Sequence, residues 1–191
     1  MDRVTLISKK ELDIYMNTTR QKLLRQLSIA NAPMTPKMLA DKLQISASGV
    51  QHHIKKLMLL GLIELDHTEL INGITASFYR PAQVTVQVGL TQSDAFAEQR
   101  EVLIQNSIAQ VYDGFQKQMK KHIELHGDKD PYNLKRWGDI MSGVVHLNRQ
   151  QSDDLMRLIT EYIEGHVTPT ADSSPWEYAI IAYNAENICD E

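Results

Sequence analysis

Apolar residues recur at helical spacing through the first part of the chain, and polar caps divide this pattern into separate helices. Residues 10–29 are predicted to be helical in two pieces. The candidate N-caps of the second piece are Asn17, Thr18 and Thr19, whose side chains can accept hydrogen bonds from exposed amides of a first helical turn. Pro33 ends the pattern, because proline cannot continue a helix and restricts the residue before it.

Two short helices with a tight turn between them are predicted next. Thr35 is a good N-cap, and Pro36 suits the first helical position, where its missing N–H costs nothing. Residues 44–46 form the predicted turn. Ser46 then caps a helix that ends at Gly61, a natural C′ residue because glycine accepts a positive φ. Two helices joined by about three residues have the spacing of a helix-turn-helix.

After the second of these helices the hydrophobic period changes to that of strands. Asn72 and Gly73 separate two β-prone runs within residues 62–81, which is a strong signal for a hairpin turn. A helix, a helix-turn-helix and a hairpin in this order are the layout of a winged helix-turn-helix. We therefore predict such a domain, with DNA as its partner, over residues 1–83.

Residues 84–191 are predicted to form a dimerisation and regulatory domain. The alternation of Val84, Val86 and Val88 indicates either a strand or an extended connector at its start. A nearly unbroken helical pattern follows over about residues 93–127.

This long helix carries an apolar stripe from Ile104 to Ile123, with apolar residues at intervals of three or four. A helix of that size would be about 50 Å long at 1.5 Å per residue. Because a small domain cannot bury such a length alone, we predict that the stripe packs partly against a second copy of the chain. A kinked helix that covers its own domain is the alternative.

The last third of the sequence is predicted to be a strand, a helix and a strand. The strands are expected at Asp139–Leu147 and at residues 176–186. The helix between them, over residues 149–166, is amphipathic and can be capped by Ser152 or Asp153. The predicted fold class is therefore α+β: an N-terminal winged helix-turn-helix, a long dimerisation helix and a small strand–helix–strand unit.

Composition removes several classes of protein. The chain has 191 residues, of which 42% are hydrophobic and 23% charged, as in ordinary soluble proteins. Its one cysteine, Cys189, excludes an internal disulfide framework and a cysteine-rich zinc site. No apolar run approaches the roughly 18 residues of a membrane span, and the N-terminus lacks a signal-peptide core. We expect a cytoplasmic protein that binds no membrane and needs no cofactor.

Motifs typical of enzymes are absent from the sequence. It contains no GxSxG, no P-loop, no GxGxxG and no HExxH. Acidic residues are abundant in the second half, but no pair of them is set apart by its context. We therefore predict no enzymatic activity.

The net charge of −4 is unevenly distributed. Residues 1–83 contain 11 Lys+Arg and 7 Asp+Glu, a balance of +4, whereas residues 84–191 contain 9 and 17, a balance of −8. This asymmetry favours contact between the N-terminal part and a polyanion. Ordinary surfaces also fluctuate by several charges, so the charge alone does not decide.

One face of the predicted second helix of the helix-turn-helix is polar. Ser48, Gln51, His52 and Lys55 are spaced i, i+3, i+4, i+7 and share that face. Glutamine pairs with adenine through two hydrogen bonds, and serine, histidine and lysine can pair with base edges. We predict that this face reads the major groove; a solvated helix face is the alternative.

Further residues are predicted to contact the DNA backbone or to support that contact. The helix N-terminus at Ser46–Ser48 offers unpaired amides to a phosphate. The predicted DNA-binding set is Thr35, Lys37, Ser46, Ala47, Ser48, Gln51, His52, Lys55, Lys56 and Asn72. The competing hypothesis is a winged helix that binds another protein and no specific DNA sequence.

A family resemblance rests on these same segments. It is carried by Arg20, Leu23, Leu24, Leu39, Ala40, Leu43, Ile45, Ser46, Val50, His53, Ile54, Leu57, Gly61, Leu62, Ile63, Tyr79 and Arg80. In this pattern the N-terminal part resembles the ArsR-type winged helix-turn-helix of bacterial transcription regulators. The C-terminal part resembles more weakly the appended domain of a subgroup. The resemblance implies a homodimeric, sequence-specific regulator. The metal-sensing members carry cysteine pairs that this chain lacks, so thiolate sensing is not expected.

Remaining candidate sites have ordinary structural explanations. His53 faces the core side and matches the buried histidine of the family. His122 and His126 are i, i+4 on the long helix, a spacing that can bind a transition metal, but a solvated pair near the helix C-terminus is favoured. The aromatic residues of the C-terminal part, with Trp137 and Trp176 among them, fit a core better than a pocket. A small-molecule effector of unknown identity is possible in that domain.

Overall fold

The computed structural model describes residues 2–30, 32–87, 96–127 and 136–186. The elements are, in order, β1 (Asp2–Thr5), α1 (Lys9–Tyr15), α2 (Thr18–Ile29), α3 (Pro36–Leu43), α4 (Ala47–Leu59), β2 (Ile63–Ile71), β3 (Ile74–Pro81), β4 (Val84–Gln87), α5 (Ala97–His126) and α6 (Arg149–Glu164). They belong to two compact units: unit 1 is Met1–Glu101 with His146–Pro175, and unit 2 is Val102–Val145 with Trp176–Glu191.

The predicted division of the first helical segment in two is confirmed. In α1, the hydroxyl of the N-cap Ser8 accepts from the amide of Glu11, and the Glu11 carboxylate accepts in return from the Ser8 amide at 2.8 Å. Asn17 is the N-cap of α2, and its side-chain oxygen accepts from the amide of Arg20 at 3.1 Å. The reciprocal pair at α1 and the single bond at α2 both satisfy amides that a helix start leaves without intrahelical partners.

Helices α3 and α4 form the predicted helix-turn-helix. The Thr35 hydroxyl accepts from the Met38 amide at 3.2 Å, and α3 starts at Pro36, as expected. The chain reverses after Leu43 because Gln44 adopts the left-handed conformation, with φ of 55°. Ser46 then caps α4, so the two helices are separated by three residues.

A β-hairpin follows α4, after Gly61 at a φ of 67°. Its strands β2 and β3 are antiparallel and close on Ile71 opposite Ile74. The predicted turn is confirmed, since Asn72 and Gly73 between these strands have φ values of 51° and 79°. The hairpin is fastened to the start of the helix-turn-helix by two backbone hydrogen bonds of 2.9 Å between Met34 and Tyr79.

The hydrophobic core of unit 1 lies between these helices and the base of the hairpin. Its buried members are Leu23, Leu27, Met34, Leu39, Ala40, Val50, Ile54, Leu57, Leu62 and Ile63. Complete burial of each large aliphatic side chain stabilises the folded state by about 1.5–3 kcal/mol relative to exposure. Because three of these residues come from α4, the core fixes which side of α4 faces outward.

A parallel strand pair was not predicted from the sequence. β1 pairs with β4 in a register from Asp2 opposite Val84 to Thr5 opposite Gln87. Of the two alternatives for the valine-rich segment, the structure therefore has the strand, although Val88 lies outside the described residues.

The long helix is present as α5, with 30 residues from Ala97 to His126. The predicted start near residue 93 lies outside the described residues. In unit 2, Phe115 and Met119 of this helix lie against Gly138. The apolar stripe is therefore covered at this point by its own chain. No helix of the described part combines the length and the apolarity that crossing a bilayer requires.

The predicted strand–helix–strand unit is only partly formed. α6 is present, but its N-cap is Asn148, in a reciprocal pair with Gln151, so the prediction of Ser152 or Asp153 was wrong. Asn148 completes a capping box, and the helix starts at Arg149, the first residue of the predicted helical segment.

The two predicted strands beside α6 are not formed in the part of the chain that the structure describes. Residues 138–148 and 173–185 run without helix, turn or bend, and no other described strand pairs with them. The strand prediction was therefore wrong for the described residues, because a ladder needs a second strand.

Candidate nucleic-acid interface

The outer face of α4 is polar and open to solvent. Its exposed members are Ser48, Gln51, His52 and Lys55. On the opposite face Val50 and Leu57 are 0% exposed. The four polar side chains therefore share one accessible surface on a helix that is held from behind by the core of unit 1.

The N-terminus of α4 adds hydrogen-bond donors beside that face. Ser46 is occupied in capping, because its Oγ accepts from the Gly49 amide at 3.1 Å and lies 3.3 Å from the Ser48 Oγ. The amides of Ala47 and Ser48 are in the first turn and have no intrahelical acceptors. Together with the helix dipole, such amides favour an anion such as a phosphate.

The two candidate residues of α3 differ in their positions. Thr35 is only 9% exposed, and its hydroxyl caps the helix. Lys37 lies on the surface, with its Nζ 2.6 Å from the Asp41 carboxylate and with most of both side chains exposed. An exposed pair of this kind is worth about 0–1 kcal/mol, so the Lys37 ammonium can exchange its partner for a phosphate at little cost.

Lys56 belongs to a basic cleft that sequence reasoning did not identify. Lys9, Lys10 and Arg20 line the same cleft. The Arg20 guanidinium is held in place because it donates to the backbone carbonyls of Ile14 and Asp13. Its pKa is lowered by burial, the expected direction for a cation partly removed from water.

The cleft joins residues from separate helices, which is why it was missed. The available sequence signal was the lysine pair that opens α1, and it carried no indication that Lys56 would lie beside it.

The tip of the hairpin carries little positive charge. Asn72 is exposed there, between Leu70 and Ile74, which are 71% and 72% exposed. Farther down the hairpin, Arg80 Nε lies 2.8 Å from the Glu64 carboxylate and 3.3 Å from that of Asp66. The hairpin tip therefore offers the polar side chain of Asn72 and three exposed apolar ones, those of Leu70, Ile71 and Ile74, and the arginine of the hairpin is already paired.

His53 is a structural residue at the back of α4, as predicted. Its Nδ1 is buried and has no hydrogen-bond partner among the described residues. Burial, and then the positive charges of Arg20 and His52, lower the pKa of His53 below its ordinary value. The side chain is therefore neutral near pH 7 and is not a candidate DNA contact.

Residues able to bind a metal ion are not clustered. Among the residues that the structure describes, no group of three His, Cys, Asp or Glu side chains is arranged around a common point. The rings of His122 and His126 are tilted against each other on one side of α5 with centroids 4.7 Å apart, and the ring centroid of His122 also lies 4.9 Å from that of Trp137. These contacts give the pair an aromatic packing role.

The fold and this surface define a helix-turn-helix domain: two capped helices, a three-residue turn and an outward polar face on the second helix. A family model described as a helix-turn-helix domain matches residues 15–66, a span that runs from the end of α1 into β2. The matched domain is typical of non-enzymatic DNA-binding regulators, and it supports that class for this chain. No curated protein matches the chain.

Proposed function

We propose that this chain is a sequence-specific transcription regulator that reads a DNA operator with α4. The observation that supports the proposal is the exposed face of Ser48, Gln51, His52 and Lys55 on a helix whose other side is buried. The major groove of B-DNA admits one α-helix and presents a distinct pattern of donors and acceptors for each base pair. Gln51 suits adenine, while His52 and Lys55 suit the acceptors of guanine.

The remaining candidate residues position α4 on the duplex. The amides of Ala47 and Ser48 and the ammonium groups of Lys37 and Lys56 bind phosphates, which sets register without reading sequence. Asn72 approaches the backbone from the hairpin tip. Thr35 and Ser46 act indirectly, since their hydroxyls hold the starts of α3 and α4.

The operator is proposed to be palindromic and the regulator a homodimer of winged helix-turn-helix subunits of the ArsR type. Two copies of α4 would then enter successive major grooves about 34 Å apart. In this account the C-terminal residues, 84–191, hold the two subunits together. An effector or a partner bound there changes the spacing of the two α4 helices and so lowers affinity, because both half-sites must be engaged at once.

Selection of duplexes from random DNA, followed by gel shifts, tests the proposal. The full chain is expected to enrich a palindromic sequence. The combined variant Gln51→Ala, His52→Ala, Lys55→Ala should lose that preference while it stays folded. A combined variant that binds the selected duplex as well as the original chain does would reject α4 as the reading helix.

The alternative, a protein-interaction module without specific DNA binding, is not favoured, because the matched family is that of DNA-binding regulators. Failure to bind any duplex even at low salt would favour that alternative.

A further inference from the structure

The C-terminal part of the described chain lacks a core of its own. Every buried hydrophobic residue among the described residues lies between Leu6 and Leu103. α6 buries none of its residues. A segment that cannot bury its apolar side chains has little to offset the conformational entropy lost on ordering.

Two stretches of unit 2 are rich in exposed apolar side chains. We name residues 138–145 and 176–185 the extended segments; they contain no helix, turn or bend, and no described strand pairs with them. Their exposed large hydrophobic residues are Ile140, Met141, Val144, Val145, Trp176, Tyr178, Ile180, Ile181 and Tyr183.

Side chains of successive residues in an extended segment point to opposite faces. In a β-strand, Trp176 and Tyr178 would fall on one face of the second segment, and Ile181 and Tyr183 on the other. A strand that is apolar on both faces is typical of the interior of a covered sheet rather than of a free edge.

The exposed apolar area of the extended segments is that of a stable interface. Aromatic side chains alone contribute roughly 150–250 Å² each when fully exposed. The nine side chains together expose on the order of 1,000 Å², which is comparable to the ~800 Å² that each partner buries in a standard complex.

The charge of the extended segments decides what kind of partner fits. The first contains Asp139 and the second Glu177, and neither contains a lysine or an arginine. Nucleic acid and anionic lipid both require cations that are missing here. A second copy of this chain fits, because a two-fold interface brings equivalent surfaces together and a nearly uncharged, apolar surface is complementary to itself.

We propose that the extended segments form the dimer interface by pairing as β-strands with the extended segments of a second copy. Backbone groups without a ladder in the described part of one chain then acquire one between chains, and packing of the paired segments of the two copies against each other covers apolar side chains on their faces. The inference rests on the proposed function in one respect, since reading a palindrome requires two joined subunits. It differs from an interface made by α5 alone, because here the paired strands hold the two copies together.

Sedimentation of the full chain tests the interface. The original chain should sediment at about twice its mass of 21.8 kDa at micromolar concentration. Val144→Glu and Ile181→Glu, at positions 79% and 67% exposed in the single chain, should shift it to monomer. Leu70→Glu, at a position 71% exposed on the hairpin, is the matched control and should remain a dimer. A monomeric original chain, or glutamate variants that stay dimeric, would overturn the proposal.

Hydrogen exchange of the original chain keeps the test independent of whether the variants fold. Backbone amides of the extended segments should be protected at high protein concentration and lose protection on dilution, whereas amides of α4 should not change. Protection that does not depend on concentration, or no protection at all, would contradict inter-chain pairing.

A duplex with one half-site separates this inference from the proposed function. If the regulator account holds, a monomeric glutamate variant should bind one half-site like the original chain and lose only the gain from a second half-site. A dimer that binds no duplex would reject the proposed function and leave the interface intact. Palindrome binding by a chain whose extended segments are unprotected would reject the interface and leave the function intact.

Discussion

Gln51 is the residue of α4 whose side chain can discriminate most sharply between bases, because its amide both donates and accepts. In Gln51→Ala the exposed helix face keeps its shape but loses a bidentate pair with adenine. We expect a loss of about 1–3 kcal/mol in binding to the selected duplex, with relaxed preference at one base position. Titrations against duplexes with each single base change measure this. Gln110→Ala, the same substitution at an exposed position of α5, should leave both affinity and preference unchanged.

His53 makes stability depend on pH. Burial and the charges of Arg20 and His52 lower its pKa below the ordinary value of 6.5 in the folded chain, whereas the unfolded chain regains that value. Below about pH 6.5 the unfolded state therefore binds a proton at His53 that the folded state does not. The free energy of unfolding falls as the pH decreases from about 6.5 towards the lowered pKa of His53, and this contribution to stability is fully present above about pH 6.5. Thermal melts from about pH 5 to about pH 7.5 should show a smaller pH slope for His53→Asn. His146→Asn, at an exposed position, should keep the original slope. Equal slopes in the original chain and His53→Asn would contradict this account.

At the residue scale, sequence reasoning identified the caps of α3 and α4 but not that of α6. A cap hydrogen bond joins residues three apart, so Ser46 and Thr35 could be assigned as caps from the sequence. The burial of Thr35 could not be deduced in this way, nor could the placement of Lys9 and Lys10 beside Lys56, because these depend on how separate helices pack.

Substitutions at the start of α4 should distinguish an effect on folding stability from an effect on DNA binding. Ser46→Ala removes the acceptor of the Gly49 amide and should destabilise the domain by about 0.5–2 kcal/mol, whereas Ser46→Asp should restore most of that loss. Ser48→Ala removes an exposed hydroxyl and should change stability by less than about 0.5 kcal/mol while it weakens duplex binding. Urea unfolding and gel shifts on the same preparations measure both quantities. Equal destabilisation by the two alanine variants would contradict the assignment of Ser46 as the cap.

At the element scale, helices were easier to predict than strands. α2, α3 and α4 and the hairpin turn follow from caps, proline, glycine and periodicity within short stretches. The pairing of β1 with β4 joins residues about eighty positions apart, and no local pattern encodes it. The segments beside α6 have the composition of strands but no strand partner in the described chain, and a preference for strand conformation does not by itself form a ladder.

At the scale of the whole molecule, phosphate contacts should make duplex binding depend strongly on salt. Affinity should fall steeply between about 50 and 200 mM salt, because condensed counterions are released on binding. Lys56→Ala should weaken binding to all sequences similarly and reduce the slope of log K against log salt by about 1. Lys120→Ala, at an exposed position of α5, is the matched control and should leave the slope unchanged. A Lys56→Ala slope equal to that of the original chain would remove Lys56 from the phosphate contacts.

Photo-crosslinking from α4 tests most directly whether this helix enters the major groove. A photoreactive phenylalanine analogue in place of His52 should crosslink to bases within the selected half-site, and the same analogue in place of Gln110 should give no crosslink. Crosslinks from position 110 alone, or none from position 52 on a duplex that the protein demonstrably binds, would contradict the account.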